Sequence, residues 1–454
     1  MTTPARTDRR KTKTATSSKR ATSGKEPTGK TKTPTSPVRA KVRTLKPVIT
    51  PERAWTLIRK NISPLPRTRV PLEEAMGLAL AEKVLSPQPM PPFTSSAMDG
   101  YALKSSDTRH TTSRKRTRLT LVQSIPAGTS SPMPIKRGQA ARIFTGAPLP
   151  PGADAVLKQE EAVVEEGELI VSRPVRAGEN VRRRGEELRR GAVALAAGAA
   201  ITPASLGLLA CLGMSRISVY RRACVSFFTT GAEVVDYRTK PAPGQVRDAH
   251  SLSVPALLRA AGAEVRAFGR SRDDKTAIGK KLECCLEASD LTVVAGGVSV
   301  GDFDLVKDDF EAVGGERIFW VVAMKPGKPL FFGRRGRKLI IGLPGNPAAV
   351  LVCSVLFVVP AVKALMGHSR PEPVRLRGRL SHPYLKETER REYARVRLKG
   401  DEEELMVEIP PSQGSHMLAS FARADFLAEL PEGKRIFARG TEVTLIPLPW
   451  GQVG

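Results

Sequence analysis

Apolar positions along the chain fall into two rhythms, and the switches between them divide the sequence. In PERAWTLIRKNI (residues 51–62), Ala54, Leu57, Ile58 and Ile62 recur at the spacing of one helical face. In PLEEAMGLALAEKV (71–84), Ala75, Leu78 and Ala79 do the same, so a second helix is expected there. The proline cluster PQPMPPF (87–93) ends this region. Between 92 and 200 the apolar runs shorten. LTLVQSI, AARIFTG, AVLKQEEAVV and ELIVSRPV alternate with Gly and Pro turns, the pattern of a small β-rich unit. TPASLGLLACLGM (202–214) returns to helix.

From 222 to 368 strand-like and helix-like stretches alternate: ACVSFFTT, SVPALLRAAGA, EVRAFGR, KTAIGKKLECCLEA, LTVVA, DLVKDDFEAV, IFWVVA, KLIIGL and AAVLVCSVLFVV. This is the β-α-β order of a mostly parallel sheet covered by helices. Ligands of such sheets sit beyond the carboxyl ends of the strands. Residues 371–454 revert to short strands (VRLRGRL, EYARVRL, LMVEIP, TEVTLIP), which read as a small C-terminal β domain. No internal repeat is present. The expected fold class is multidomain α/β plus β.

Composition changes this picture at one end only. The 454 residues allow two to four domains and are 41% apolar, enough for sizeable cores. Aromatics are only 5%, which argues against a nucleic-acid binder built on stacking platforms. About a dozen of the 28 net positive charges fall within residues 1–46, a stretch of Lys, Arg, Thr, Ser and Pro. Such a segment buries too little apolar surface to offset its chain entropy and is expected to be a disordered basic tail. Any nucleic-acid contact is confined to that tail, for which a solvated leader is the simpler reading. The body remains basic, in keeping with anionic ligands. No uncharged apolar run of about 18 residues stands out, so no membrane span is expected. The five cysteines include no C-x-x-C pair, which fits a reducing, cytoplasmic setting, and the five histidines show no zinc-ligand spacing.

Several loops have chemistry to offer. In VVAGGVSVGDFDLVKDDF (293–310), Gly296, Gly297 and Gly301 let backbone N–H groups converge ahead of a helix, an arrangement suited to phosphate. Asp302 and Asp304 are either N-caps of that helix or holders of a divalent cation. AMKPGKPLFFG (323–333) puts Lys325 and Lys328 on a proline-stiffened turn, as two solvated lysines or as an anion site. In IIGLPGNPAAVLV (340–352), Asn346 is an expected N-cap and Pro347 the first helical residue. Asp99, in PPFTSSAMDGYAL (91–103), is a turn aspartate or a site residue. Arg182, Arg183 and Arg184 form an anion patch or a solvated turn.

Taken in order, the stretches PPFTSSAMDGYAL, RIFTGAPLPPGADAV, NVRRRGEELRRG, TPASLGLLACLG, GGVSVGDFDLVK, AMKPGKPLFFG, GLPGNP and GSHMLASFARADFLAELPEG resemble the molybdopterin molybdenumtransferases (MoeA), also seen as the E domain of gephyrin-like proteins. The resemblance spans roughly residues 47–450 and leaves out the tail. It implies a helical domain from two segments, 47–91 and 199–221, with a β-rich domain, 92–198, inserted between them. A molybdopterin-binding α/β domain over 222–370 and a C-terminal β domain over 371–454 follow. It further implies a homodimer with the site in a cleft between subunits. The implied reaction joins molybdate to adenylylated molybdopterin, with release of AMP and with Mg2+ as cofactor.

Residue by residue, the resemblance carries Asp99, Ser299 and Asp304 over as catalytic or Mg-site positions, with Asp302 beside them. Gly296, Gly297, Gly301, Thr145, Glu233 and Asp248 become substrate-binding positions, and Lys325, Lys328, Pro329, Arg391 and Ser415 become molybdate contacts. The chain also departs from the family pattern. Thr94 and Ser95 replace the Asp and Asn of P-P-F-D-N-S-A-M-D-G-Y. Ala232 replaces the Asp of S-T-G-D-E, leaving Glu233. Ala249 and His250 replace the last two residues of D-S-N, leaving Asp248. These changes leave open a diverged member that binds molybdopterin with weak insertion, or one that uses tungstate.

Overall fold

The computed structural model describes residues 48–128, 132–272, 274–298, 305–399 and 404–451. The basic tail expected over residues 1–46 lies outside them. The first helix, Pro51–Lys60, starts where its sequence directs: Thr50 Oγ1 accepts from Arg53 N at 3.2 Å, and Pro51 occupies the first turn, where its missing N–H costs nothing. Thr202 and Pro203 repeat the device at the start of Pro203–Cys211. Ala54, Ile58 and Ile62 of the first segment pack into the largest apolar core of the chain.

The helix expected over 71–84 does not form. Only Leu72–Glu74 makes a 3-10 turn, and Gly77 adopts φ +76°. The amides that a helix would use internally go to the returning chain instead: Gly77 N to Ile201 O, Leu80 N to Ala199 O and Ala81 N to Ser218 O. A short helix carrying a glycine has little intrinsic stability, so tertiary pairing overrides its periodicity. Around it, Arg67–Pro71 pairs antiparallel with Arg216–Tyr220, and Val84–Leu85 with Val193–Leu195. The two segments expected as a helical domain are therefore joined largely by short strands, around Leu72, Leu78, Leu80, Ile217 and Val219.

Three six-stranded sheets make up most of the remaining strands, with three further two-stranded pairs among the described residues. The inserted one runs Ala155–Lys158, Gly100–Leu103, Gln139–Ile143, Thr117–Ile125, Glu168–Val171, Val163–Glu165. The second runs Glu264–Arg270, Cys224–Thr229, Leu291–Ala295, Lys338–Leu343, Pro329–Arg335, Glu316–Val321. Its first four strands are parallel, as expected, but the last two are antiparallel. The strand Pro329–Arg335 went unforeseen behind its prolines. Its links to both neighbours are short turns, which allow only antiparallel pairing.

The third sheet closes on itself, because Arg391–Leu398 pairs with Met406–Glu408 at one end and with Phe426–Leu430 at the other. Met324–Lys325, which leaves the α/β sheet, adds to this C-terminal barrel as a parallel strand, Lys325 opposite Glu392. The helical stretch Pro347–Leu365 corrects only the premise that no apolar run of that length stands out: at 19 residues it is long and apolar enough to cross a membrane, yet it is 89% buried inside the protein as a core helix. It opens into a π turn at Ser354–Val358, next to Pro360, which has no N–H to give to the regular ladder.

Candidate functional site

The carboxyl ends of three parallel strands, Cys224–Thr229, Leu291–Ala295 and Lys338–Leu343, converge on one set of loops. Thr230 N bonds Ala295 O at 3.0 Å and Gly296 N bonds Leu343 O at 3.1 Å, so the three loops are tied at their roots. Gly296 and Gly297 take φ +92° and +66°. A Cβ on Gly296 would lie 2.7 Å from Thr230 O, and one on Gly297 would lie 2.8 Å from Thr230 Oγ1 and from Val306 Cγ2. Only glycine fits there. Thr230, not singled out from the sequence, is 4% exposed, and its hydroxyl has no hydrogen-bond partner among the described residues. A buried hydroxyl against a positive-φ glycine pair suits an anionic oxygen. Ser299, Gly301, Asp302 and Asp304 lie outside the described residues.

The neighbouring loop carries two of the departures. Ala232 and Glu233 are both exposed, and Glu233 O accepts from Val246 N at 2.9 Å. Arg270 Nη1 pins the loop through the carbonyls of Gly231 and Val234. Asp248 is buried, and its Oδ1 accepts from His250 N at 2.8 Å and Ser251 N at 3.0 Å, while Oδ2 accepts from Thr229 Oγ1 at 2.9 Å and from Ser251 Oγ. Burial pushes this carboxyl up, but the Ser251 and Thr229 donors outweigh it and hold it below the usual range. Asp248 thus organises the loop and the start of helix His250–Ala260. It also lines a cavity of about 430 Å³ with Asp236, Tyr237, Ser251 and Arg270. His250 is buried, its Nε2 has no partner among the described residues, and burial drives its pKa down.

Asp99 and Thr145 meet in the inserted sheet. Thr145 N and Oγ1 donate to Asp99 Oδ1 at 2.7 and 2.8 Å, the backbone bond being the main reason its carboxyl sits below the ordinary range. Phe93, Met98 and Phe144 are exposed around the pair. Where the family pattern has a first Asp, Thr94 Oγ1 accepts from Arg184 N at 3.3 Å, so the hydroxyl holds the adjoining turn. Arg182, Arg183 and Arg184 are exposed, and no ion pair engages them among the described residues.

The lysine turn differs from expectation. Lys325 is not held for a ligand by like-charge convergence with Lys328. Its Nζ lies 2.7 Å from Glu387 Oε2 and 3.4 Å from Glu392 Oε1. Lys328 is exposed, and Pro329 opens the following strand. Gly327 (φ +101°) permits the turn, since a Cβ there would meet Cys353 Sγ at 2.5 Å.

Arg391 does not face this turn. Its guanidinium is engaged by Glu429 at 3.0 Å, Glu432 at 2.9 Å and Glu52. Side chains alternate along the strand Arg391–Leu398, so Glu392 takes the other face, and Arg390 lies in the bend just before the strand. Arg390 Nη1 donates to Met324 O at 3.2 Å, beside Lys325. Ser415 is drawn to the same region: its Oγ accepts from Asn346 Nδ2 at 3.0 Å and its carbonyl caps Ala348 N at 3.0 Å. Asn346 keeps the N-cap position, but its side chain serves Ser415 rather than the helix. Fully buried Arg395 steadies that loop through Gly414 O and Ser420 Oγ.

The structure therefore brings together the glycine pair with Thr230, and the Lys325 turn with Arg390 and the barrel. No hydrogen bond or ion pair joins Asp99–Thr145 to either set among the described residues. A larger cavity, about 540 Å³, opens at the amino ends of the same strands, lined in part by Lys60, Arg221, Arg337 and Lys338. It lies at the edge opposite the glycine loops, and Arg221 there is already closed onto Asp290 at 2.7 and 2.8 Å.

Three family profiles match the chain in order. They are the MoeA N-terminal region (domains I and II) over residues 49–213, a probable molybdopterin binding domain over 226–364, and the MoeA C-terminal region (domain IV) over 377–448. A molybdopterin molybdenumtransferase of Nostoc sp. is 34% identical over 390 residues, 84% of this chain and 88% of that protein. One of Haemophilus influenzae is 33% identical, covering 83% of this chain and 92% of that one. A solved molybdopterin biosynthesis MoeA structure of Pyrococcus horikoshii aligns with 88% of this chain and 100% of its own, at 25% identity and a TM-score of 0.78.

Proposed function

Since the chain belongs to the molybdopterin molybdenumtransferase (MoeA) family, we propose that it joins molybdate to adenylylated molybdopterin and releases AMP. It is a transferase of molybdenum cofactor biosynthesis, with molybdopterin as substrate. The observation that carries the finer reading is the Lys325 turn. A mostly buried ammonium stands where a strand-end loop of the α/β sheet joins the barrel, with Arg390 alongside. Molybdate is a dianion, and cations held at a strand end suit it. The Gly296–Gly297 cradle and the buried Thr230 hydroxyl suit the phosphoryl oxygens of the nucleotide-linked substrate.

Mg2+ enters this reading through Asp302 and Asp304, which lie outside the described residues. Among the described residues no group of three His, Cys, Asp or Glu could hold a metal. The steps ascribed to the protein here are therefore binding and charge neutralisation by its own groups. A homodimer is part of the reading, with Asp99–Thr145 of one subunit facing the loops of the other. Its support is exposed Phe93, Met98 and Phe144 in the segments that carry the pair. A cytoplasmic location is in keeping with five free cysteines.

The test is an assay of AMP release and cofactor formation with adenylylated molybdopterin, molybdate and Mg2+. Molybdate-dependent release, abolished by Asp304→Ala and by Lys325→Ala, is the expected result. Tight binding of the substrate without turnover would overturn it. Light scattering at assay concentration reads the dimer directly.

A further inference from the structure

Two carboxylates hold Lys325, and they are held very differently. The Glu392 side chain is 1% exposed, lies in a paired strand and also accepts from Tyr384 OH at 3.1 Å. Withdrawing it would strip a buried charge of its partners, which is costly. The Glu387 side chain is 80% exposed, and its one contact among the described residues is the 2.7 Å bond to Lys325. With both acids in place, the Lys325 ammonium has no charge left to offer a ligand. With Glu387 withdrawn, Lys325 and Glu392 cancel, and neighbouring Arg390, Lys328 and Lys386 leave the spot one charge more positive than before.

We propose that Glu387 is an internal stand-in for the oxyanion: it occupies the Lys325 ammonium in the free enzyme and is displaced when a tetrahedral dianion binds, so it sets the affinity for that substrate. The proposal rests on the reading that Lys325 binds molybdate. A tethered carboxylate competes at high effective concentration. A dianion outbids it through its second charge, whereas a monoanion does not, so Glu387 also screens the site against singly charged anions. The pair lies largely in solvent on the Glu387 side, so its contribution is that of an exposed ion pair, up to about 1 kcal/mol, which corresponds to about five-fold in affinity.

The experiment measures KM for molybdate and inhibition by nitrate in full-length Glu387→Ala and Glu387→Gln, with Lys325→Ala and Glu389→Gln alongside. Glu389 is an exposed neighbour that forms no ion pair with Lys325. In both Glu387 variants the KM for molybdate is expected to fall about two- to five-fold at unchanged kcat, and competitive inhibition by nitrate to strengthen. Glu389→Gln leaves both nearly unmoved, and Lys325→Ala raises the KM. If Lys325→Ala raises the KM while the Glu387 variants leave it unchanged or higher, the stand-in role is wrong and the molybdate reading survives. An equal fall in Glu389→Gln marks a general field effect and also overturns the proposal. An unchanged KM in Lys325→Ala removes the molybdate reading, and this inference with it.

Discussion

The glycine cradle at Gly296–Gly297 and the lysine turn at Lys325–Lys328 prepare for anions in opposite ways. The cradle is backbone. It presents two positive-φ residues packed so closely on Thr230 that no Cβ fits, and its own side chains contribute no charge. The turn is charge. It presents an ammonium that already has two carboxylates on it and a guanidinium nearby. The cradle should therefore fail through shape and be indifferent to nearby charge, whereas the turn should respond to each charge removed and tolerate changes of shape.

The largest effect is expected from Gly296→Ala. The added methyl would lie 2.7 Å from Thr230 O, a backbone atom that cannot swing aside, in a backbone conformation that alanine disfavours. Conformational strain and overpacking together cost about 2–4 kcal/mol. Binding of adenylylated molybdopterin, followed by titration calorimetry, should weaken about 100-fold and the thermal midpoint should fall several degrees. A variant with normal affinity would break the comparison, since the cradle would then not need its shape.

Next come the two adjacent arginines. Arg390→Ala should raise the KM for molybdate about ten-fold with little loss of stability, as expected for a charge-assisted contact worth about 1–2 kcal/mol. Arg391→Ala should do the reverse. It leaves the mostly buried Glu429 carboxylate to Arg375 alone and unties Glu432 and Glu52, so urea unfolding should report a loss of about 1–2 kcal/mol at a nearly unchanged KM. The same outcome for both variants would mean that one step along the chain does not separate binding from support.

That pair also marks the limit of what the sequence discloses. LTVVA, KLIIGL and KTAIGKKLECCLEA announced their elements to within a residue, because buried strands and capped helices are written in local pattern. Gly296, Gly297 and the position of Asn346 were legible for the same reason. The resemblance points to Arg391, whose guanidinium the structure engages with Glu429, Glu432 and Glu52, while the adjacent Arg390 is the one beside Lys325. The helix over 71–84 failed because its amides are claimed by residues more than a hundred positions away. Glu387 and Glu392 were invisible as partners of Lys325, since that pairing exists only once Met324–Lys325, on the chain leaving the α/β sheet, joins the barrel. Local pattern fixes elements, whereas the charges that decide a site arrive from elsewhere in the chain.

The smallest effect sharpens the contrast most. Ala232→Asp restores the carboxylate of the family pattern at an exposed position beside Glu233, on the loop that Arg270 holds through its carbonyls. A charge added in solvent at the rim acts through a high effective dielectric and contributes well under about 1 kcal/mol. Because the neighbouring cradle acts through backbone geometry, kcat/KM for adenylylated molybdopterin should change less than about two-fold in this variant. The single-charge change at Glu387, by contrast, moves the molybdate constant further, because it acts on an ammonium that is 14% exposed and has few competing partners. A gain of ten-fold or more in Ala232→Asp would reverse the assignment: the cradle would then depend on charge, and the alanine at 232 would be what limits the enzyme.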